Sequence, residues 1–345
     1  SEAYTARDRI VFLAPDVLTL DVEMPRMDGI EFLRRLLPQY PIPVVVVSAL
    51  TAEGSLHALA ALEAGAVEVV PKPQAMGAHG LLEMIGELRQ AVKAAAKADV
   101  GKLRGLAAKS RSSPAGGGGS GASRKIRAAP RRPGEEDRVV ALGASTGGTT
   151  ALRGIIRSLP ADLPPTLIVQ HMPPVFTRLF AESLDRESGL RVREAADGDR
   201  LERGLVLIAP GDYHLVLERQ GGCLVVRCVG GDKVNGHRPS VDVLFESVAA
   251  VAGGAAVGMI LTGMGRDGAQ GLLSMRKAGA RCFAQDEASA VVFGMPQVAW
   301  DLGAAERLVP LDRAAEVLVA ALARPLVRAA AAGAAEAAGM AGSTL

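Results

Sequence analysis

Cysteine is scarce in this 345-residue chain, which carries only Cys223, Cys228 and Cys282. An odd number without metal-ligand spacing excludes a disulfide scaffold or a zinc knuckle. In a chain without a secretory signal it predicts three packing residues in a reducing cytoplasm. Aromatic residues make up only 3%, which leaves few platforms for stacked bases. Charge of one sign is missing too, because 39 Lys and Arg stand against 37 Asp and Glu, a net +2. Neither fact supports nucleic acid as a partner. No apolar run approaches the length of a membrane span, so direct membrane insertion is not expected. Two phosphate-loop signatures are also absent: no Gly-Lys-Ser/Thr loop and no GxGxxG spacing occurs.

What is present is an ordinary globular composition, 49% hydrophobic and 22% charged, over a length that allows two domains. A break separates them. From about Ala107 to Asp137 apolar periodicity gives way to Ser, Gly, Pro and Arg, including SSPAGGGGSGAS and AAPRRPGEED. That composition buries too little surface to offset ordering entropy, so it predicts a flexible tether of roughly 30 residues spanning about 30 Å r.m.s.. The expected organisation is a first unit over 1–95, a linker over 96–137, a second unit over 138–322 and an Ala-rich tail over 323–345. No helix-turn-helix or basic recognition helix follows the linker, which argues against a DNA-binding output.

In the second unit the run Val139 to Leu142 ends in LGASTGGTT, placing Ser145 between glycines where a helix begins. Such a turn presents a hydroxyl at a helix N-terminus, where free N–H groups favour negative charge; it equally suits an anion-binding loop or a simple cap. A second apolar run, TLIVQ, ends at His171 before Met-Pro-Pro, and a third, AAVGMILTG, leads into MGRDGAQG with Asp267. Helical stretches follow each, and this alternation predicts parallel strands with crossover helices whose carboxyl ends share one edge. A serine needs a base, and an imidazole needs an acceptor to fix its tautomer, so Ser145, His171 and Asp267 at three converging strand ends suit nucleophilic catalysis. His237, Ser240 and Asp242 in GHRPSVD are too close in sequence for that geometry, and His214 follows a Gly-Asp-Tyr turn.

The first unit repeats the logic with other groups. DVLTLDV ends at Asp21, PVVVVSA carries Ser48 at its end, and VEVV ends in Pro71-Lys72-Pro73. An acid, a hydroxyl and a cation at one sheet edge suit a carboxylate that accepts a phosphoryl group. Asp21 is then the nucleophile, Ser48 a donor to the phosphoryl oxygens and Lys72 its counter-charge.

LDVEMPRMDG, VSAL and PKP make this unit resemble the receiver domain of two-component response regulators. The resemblance implies phosphorylation at Asp21 and a Mg²⁺ ion held partly by it. The acidic pair that receivers place on their first strand has no counterpart here: the chain begins in what resembles the second helix, so the first strand, first helix and second strand are missing from the pattern and a sheet edge is left open. GASTGG, VQHMP, NGHRPSVDVLF and LTGMGRDGAQGL make the second unit resemble the catalytic domain of the CheB family, the chemoreceptor protein-glutamate methylesterases. This implies an incomplete flavodoxin-like receiver joined to a doubly wound, Rossmann-like parallel-sheet esterase, both of the α/β class. It further implies a triad of Ser145, His171 and Asp267, with the Met264 N–H as oxyanion donor and no cofactor for the esterase. The implied reaction frees glutamate and methanol from receptor methyl esters, with deamidation of receptor glutamine as a related activity. The implied partners are methyl-accepting chemoreceptors and the chemotaxis histidine kinase. A non-enzymatic phospho-switch with an anion-binding output module is the competing expectation; it predicts saturable ligand binding and no labelling of Ser145 by serine-directed phosphonates.

Overall fold

The structure is a computed structural model that describes residues 2–23, 29–49, 51–73, 78–105 and 137–324. The first unit holds helix α1 (Glu2–Leu13), β1 (Leu18–Asp21), α2 (Gly29–Leu36), β2 (Val44–Ser48), α3 (Ala52–Ala64), β3 (Glu68–Pro71) and α4 (Ala78–Ala95). Its three strands are parallel in the order β1-β2-β3. Val44, Val45 and Val46 are fully buried, as expected where helices cover both faces of a sheet. The register sets Asp21 beside Val47 and Ser48 beside Pro71, so the strand ends lie along one edge. β1 stands at the outer edge, and among the described residues no strand pairs with its far side.

The second unit is built on a seven-stranded, all-parallel sheet. Its strands are β4 (Val139–Ala144), β5 (Thr166–Gln170), β6 (Arg191–Glu194), β7 (Leu205–Ile208), β10 (Ala256–Ile260), β11 (Arg281–Gln285) and β12 (Leu308–Val309), in the order β12-β11-β10-β4-β5-β7-β6. Helices α5 (Gly148–Ser158), α6 (Phe176–Glu187), α7 (Val241–Ala252), α8 (Ala269–Lys277), α9 (Met295–Asp301) and α10 (Ala314–Leu322) cover the sheet. Every residue of β4, β5 and β10 is buried, which explains why these strands read as unbroken apolar runs rather than alternating ones. The chain winds one way from β4 to β5 and the other way from β4 to β10. That reversal puts a crevice at the carboxyl ends of the central strands.

Three features depart from the expectations. An antiparallel hairpin, β8 (His214–Gln220) and β9 (Cys223–Val229), stands apart from the main sheet and turns through Gly221-Gly222, both at positive φ. A two-residue turn of that hand matches strand twist and needs glycine. Cys223 flanks this turn and is exposed, so it is not a packing residue, whereas Cys282 is buried and Cys228 half-buried; all three thiols are free. The linker does not begin at 96: residues 100–105 are helical, Val100 and Leu103 are buried, and the Asp99 N–H donates to the Val291 carbonyl at 3.0 Å. The packing of Leu103 in one cluster with Val291 and Val292 outweighs the polar look of the surrounding sequence. The remainder of the expected linker, 106–136, and the tail from 325 lie outside the described residues, as do 24–28 of the LDVEMPRMDG stretch.

Candidate active site

β10, β4 and β5 are neighbours, so the residues that follow them meet. Ser145 leaves β4 and is held by its N–H on the Thr262 carbonyl (3.0 Å), while its own carbonyl accepts from Gly148 N (2.7 Å) as α5 starts. Gly147, at φ 77°, makes the turn, a conformation that disfavours any Cβ. The backbone beyond β10 passes very close: a Cβ on Gly263 would sit 2.7 Å from Ser145 Cβ. His171 follows β5 directly, with its N–H on the Ala144 carbonyl at 3.2 Å. Its Nε2 lies 2.8 Å from Asp267 Oδ2, and its Nδ1 is buried without a hydrogen-bond partner. That leaves one imidazole nitrogen bonded to the acid and the other open to receive a proton. Met264 lies in the loop between β10 and Asp267, and no backbone acceptor is found for its N–H among the described residues.

Asp267 is almost wholly buried, at 1% exposure. It accepts from His171 Nε2, Asn235 Nδ2 (2.9 Å), Ser240 Oγ (2.7 Å), Val241 N (2.7 Å) and, more distantly, Asp242 N (3.4 Å). Burial alone would raise its pKa, but the bonds from His171, Asn235 and Ser240 outweigh it and hold the carboxyl well below the usual range. Two of these donors are the first N–H groups of α7, whose end is a natural seat for an anion. The segment set aside as a competing triad is therefore the cradle of the acid. Val234 and His237 exchange backbone bonds of 3.0 and 2.9 Å around Asn235 (φ 52°) and Gly236 (φ 85°), a two-residue turn of the Asn-Gly kind. This turn delivers Asn235 to Asp267 and lays the His237 ring on His171, centroids 3.7 Å apart and planes within 9°. Asn-Gly followed by an N-cap Ser was the legible signal for this element. Its destination was not legible.

The family model for the CheB methylesterase matches residues 140–318, and that for the response regulator receiver domain matches 1–85. A protein-glutamate methylesterase/protein-glutamine glutaminase of Syntrophotalea carbinolica is 52% identical over 320 residues, covering 92% of this chain and 87% of that protein. One from Pseudomonas aeruginosa is 49% identical over 323 residues, covering 94% and 88%. The chain belongs to the CheB methylesterase family. The crystal structure of the Thermotoga maritima CheB methylesterase catalytic domain superposes with a TM-score of 0.52 at 40% identity, covering 53% of this chain and 97% of that one.

In this CheB-family protein the receiver unit lies directly against the serine. Glu68, on β3, is half-buried and accepts from Thr146 Oγ1 at 2.7 Å, one residue from Ser145. Burial pushes its carboxyl up to about 7, against the lowering effect of the Thr146 and Val69 bonds. Glu68, Leu62 and Val67 close a small cavity whose other wall includes Ser145, Gln170 and Phe176. Gln170 Oε1 is buried there without a partner. Further along, Glu63 of α3 accepts from Arg153 of α5 at 2.6 Å.

At the receiver's own site Lys72 Nζ lies 2.6 Å from Asp21 Oδ2, and Asp21 Oδ1 accepts from Glu23 N at 2.9 Å. Ser48 is near both along the edge, but its hydroxyl donates to the Gly54 carbonyl at 2.8 Å. Asp21 and Ser48 thus share the edge without a bond between them. The donor set does not fit the Mg²⁺ ion that the family implies. Both Asp21 oxygens are engaged, one by a cation, and among the described residues no group of three metal-ligating side chains is found.

Proposed function

We propose that this chain hydrolyses methyl esters of glutamate side chains on chemoreceptors, with Ser145 as nucleophile, His171 as base and Asp267 as its orienting acid. The observation that carries the reading is the His171–Asp267 pair: one imidazole nitrogen is anchored to a buried carboxylate and the other is unpartnered, on a residue whose N–H bonds the carbonyl just before Ser145. Ser145 Oγ attacks the ester carbonyl and passes its proton to His171 Nδ1. The negative oxygen of the tetrahedral intermediate is met by the Met264 N–H, a kind of donor worth about 3 kcal/mol. Collapse breaks the carbon–methoxy bond, and His171 returns the proton to release methanol. Water, deprotonated by His171, then attacks the acyl-serine, leaving a glutamate carboxylate and free Ser145. With a glutamine substrate the same steps release ammonia. Labelling by a serine-directed phosphonate tests the reading: it is expected to modify Ser145 and to stop methanol release in proportion, and binding of anions without labelling would reject it.

The receiver is the regulatory unit in this reading. Phosphorylation of Asp21 by the chemotaxis histidine kinase draws Lys72 and Ser48 toward the phosphoryl group and loosens the contacts that cover Ser145. The contact made by Glu68, four residues before Lys72, favours this coupling. A carboxyl raised on docking favours the docked arrangement fully below its ordinary range and loses that preference as the pH climbs toward 7. Release of the unphosphorylated enzyme is therefore expected to grow across pH 5 to 7.5. Glu68→Gln keeps a neutral partner for Thr146, so the ratio of wild-type to variant esterase rates should rise several-fold over that interval. The ratio also cancels the titration of the base. A ratio independent of pH would remove Glu68 from the coupling.

Localisation follows the same reading. No helix among the described residues is long and apolar enough to cross a membrane, and we place the enzyme in the cytoplasm, acting on the cytoplasmic part of its receptors.

A further inference from the structure

The His171–Asp267 bond restrains only one end of the catalytic ring. Rotation of the imidazole about its bond to Cβ would swing Nδ1 out of line while displacing Nε2, which lies nearer the rotation axis, less. Something must hold the plane. The ring that lies against it belongs to His237, stacked at 3.7 Å and 9°. We infer that His237 is a positioning residue, whose flat side chain fixes the plane of His171 and keeps water off its face. The inference rests on the assignment of His171 as the base.

The support around His237 is unusually complete. Its backbone is clasped to Val234 in both directions across the Asn-Gly turn. The next residue, Arg238, donates from Nε to Asp212 Oδ1 at 3.0 Å. Below the turn, His214 Nε2 donates to the Asp232 carbonyl (2.9 Å) and Nδ1 accepts from Ser240 N (3.2 Å), tying both ends of the 232–240 loop to β8. The loop therefore presents the ring from a frame that does not swing.

Charge decides why a neutral ring suits this place. His171 becomes an imidazolium as the serine attacks, and a cation stacked on its face would oppose that step. The groups that act on His237 are His171 itself, Asp267 and Lys233. Burial first, then His171 and Lys233, push the His237 pKa down to about 3, with Asp267 opposing. His237 is thus uncharged around neutral pH. The same lowering makes it a poor base, and the donors found on Asp267 do not include it.

The test is full-length enzyme carrying His237→Ala or His237→Phe, assayed for methanol release from methylated receptor membranes across pH. Alanine is expected to lower kcat by about 10- to 100-fold, the scale of a misaligned reacting group, with KM changed by less than about threefold. Water reaching the ring face stabilises imidazolium, so the acid limb of kcat/KM should move to higher pH in the Ala variant. Phenylalanine restores the flat surface without a titrating group, and should recover most of kcat and return the limb. An Ala variant with wild-type kcat and an unmoved limb overturns the inference. So does a Phe variant as impaired as the Ala variant, since the ring's polar atoms rather than its plane would then matter. Failure of the underlying assignment looks different: it is methanol release that survives Ser145→Ala.

Discussion

Ser145→Ala is expected to lower methanol release from methylated receptor membranes by about 10⁶-fold, the scale seen when the nucleophile of a serine triad is removed. In the proposed mechanism this hydroxyl forms the acyl intermediate. Thr146 is next in sequence, but its hydroxyl is committed to Glu68. The local fold should survive the change, because Ser145 is held through backbone bonds to Thr262 and Gly148 rather than through its side chain. A thermal midpoint within about 2 °C of wild type would show that the loss is chemical. Appreciable release by this variant would refute the assignment of the nucleophile.

Asp267→Asn should cost about 10⁴-fold in kcat, and unlike the serine change it should also destabilise the domain. An amide at this position turns its NH₂ either toward His171 and the Val241 N–H, which share Oδ2, or toward Asn235 and Ser240, which share Oδ1; whichever way it faces, donors meet donors. Facing His171, it fixes the tautomer that leaves Nδ1 protonated and unable to take the serine proton. Facing the loop, it leaves buried donors unpaired at roughly 1–3 kcal/mol each. The pH dependence has a definite sign. The carboxyl lies below its unfolded value, so its stabilisation is fully present above about pH 4 and is lost as the pH falls through the folded value. The difference in thermal midpoint between wild type and Asp267→Asn is therefore expected to be large at pH 7 and to shrink in strong acid. Equal stability of the two proteins at pH 7 would contradict the hydrogen-bond account of this carboxylate.

These two effects differ in how visible they were. Ser145 announces itself by glycines on one side and an apolar run on the other, and the turn it forms is local. Asp267 sits in a loop of glycines, and in isolation it reads as a turn former. What marks it is the company it keeps in space. The donors from Asn235, Ser240 and Val241 come from 26 to 32 residues away. The adjacency of GHRPSVD in sequence argued correctly against a triad within that segment. It said nothing of the segment's service to another acid.

Glu68 shows the same limit more sharply. On β3 nothing local marks it, yet it is drawn half into cover by the serine turn of the esterase, with Thr146 as its partner 78 residues along the chain. Burial raises its pKa, and burial is a property of the docked pair of units rather than of either strand. The helical residues 100–105 are a related case. Val100 and Leu103 are too few to make a periodic pattern against the polar residues around them, and the cluster with Val291 and Val292 gives Leu103 a place to pack.

The sequence alone was sufficient for the class of fold and for the places of Ser145, His171 and Asp267 beyond three neighbouring strands, because parallel strands joined by right-handed crossovers bring their carboxyl ends to one edge whatever their order. It placed Asp21, Ser48 and Lys72 along one edge of the receiver sheet in the same way. The tertiary structure decided what surrounds these groups: the stacked plane of His237, the cradle of Asp267 and the carboxyl of Glu68 beside the serine. Those depend on which strands became neighbours, β10-β4-β5 in the esterase, and on how one unit rests on another. Such contacts join residues remote in sequence, through free energies of packing and desolvation that no local pattern records.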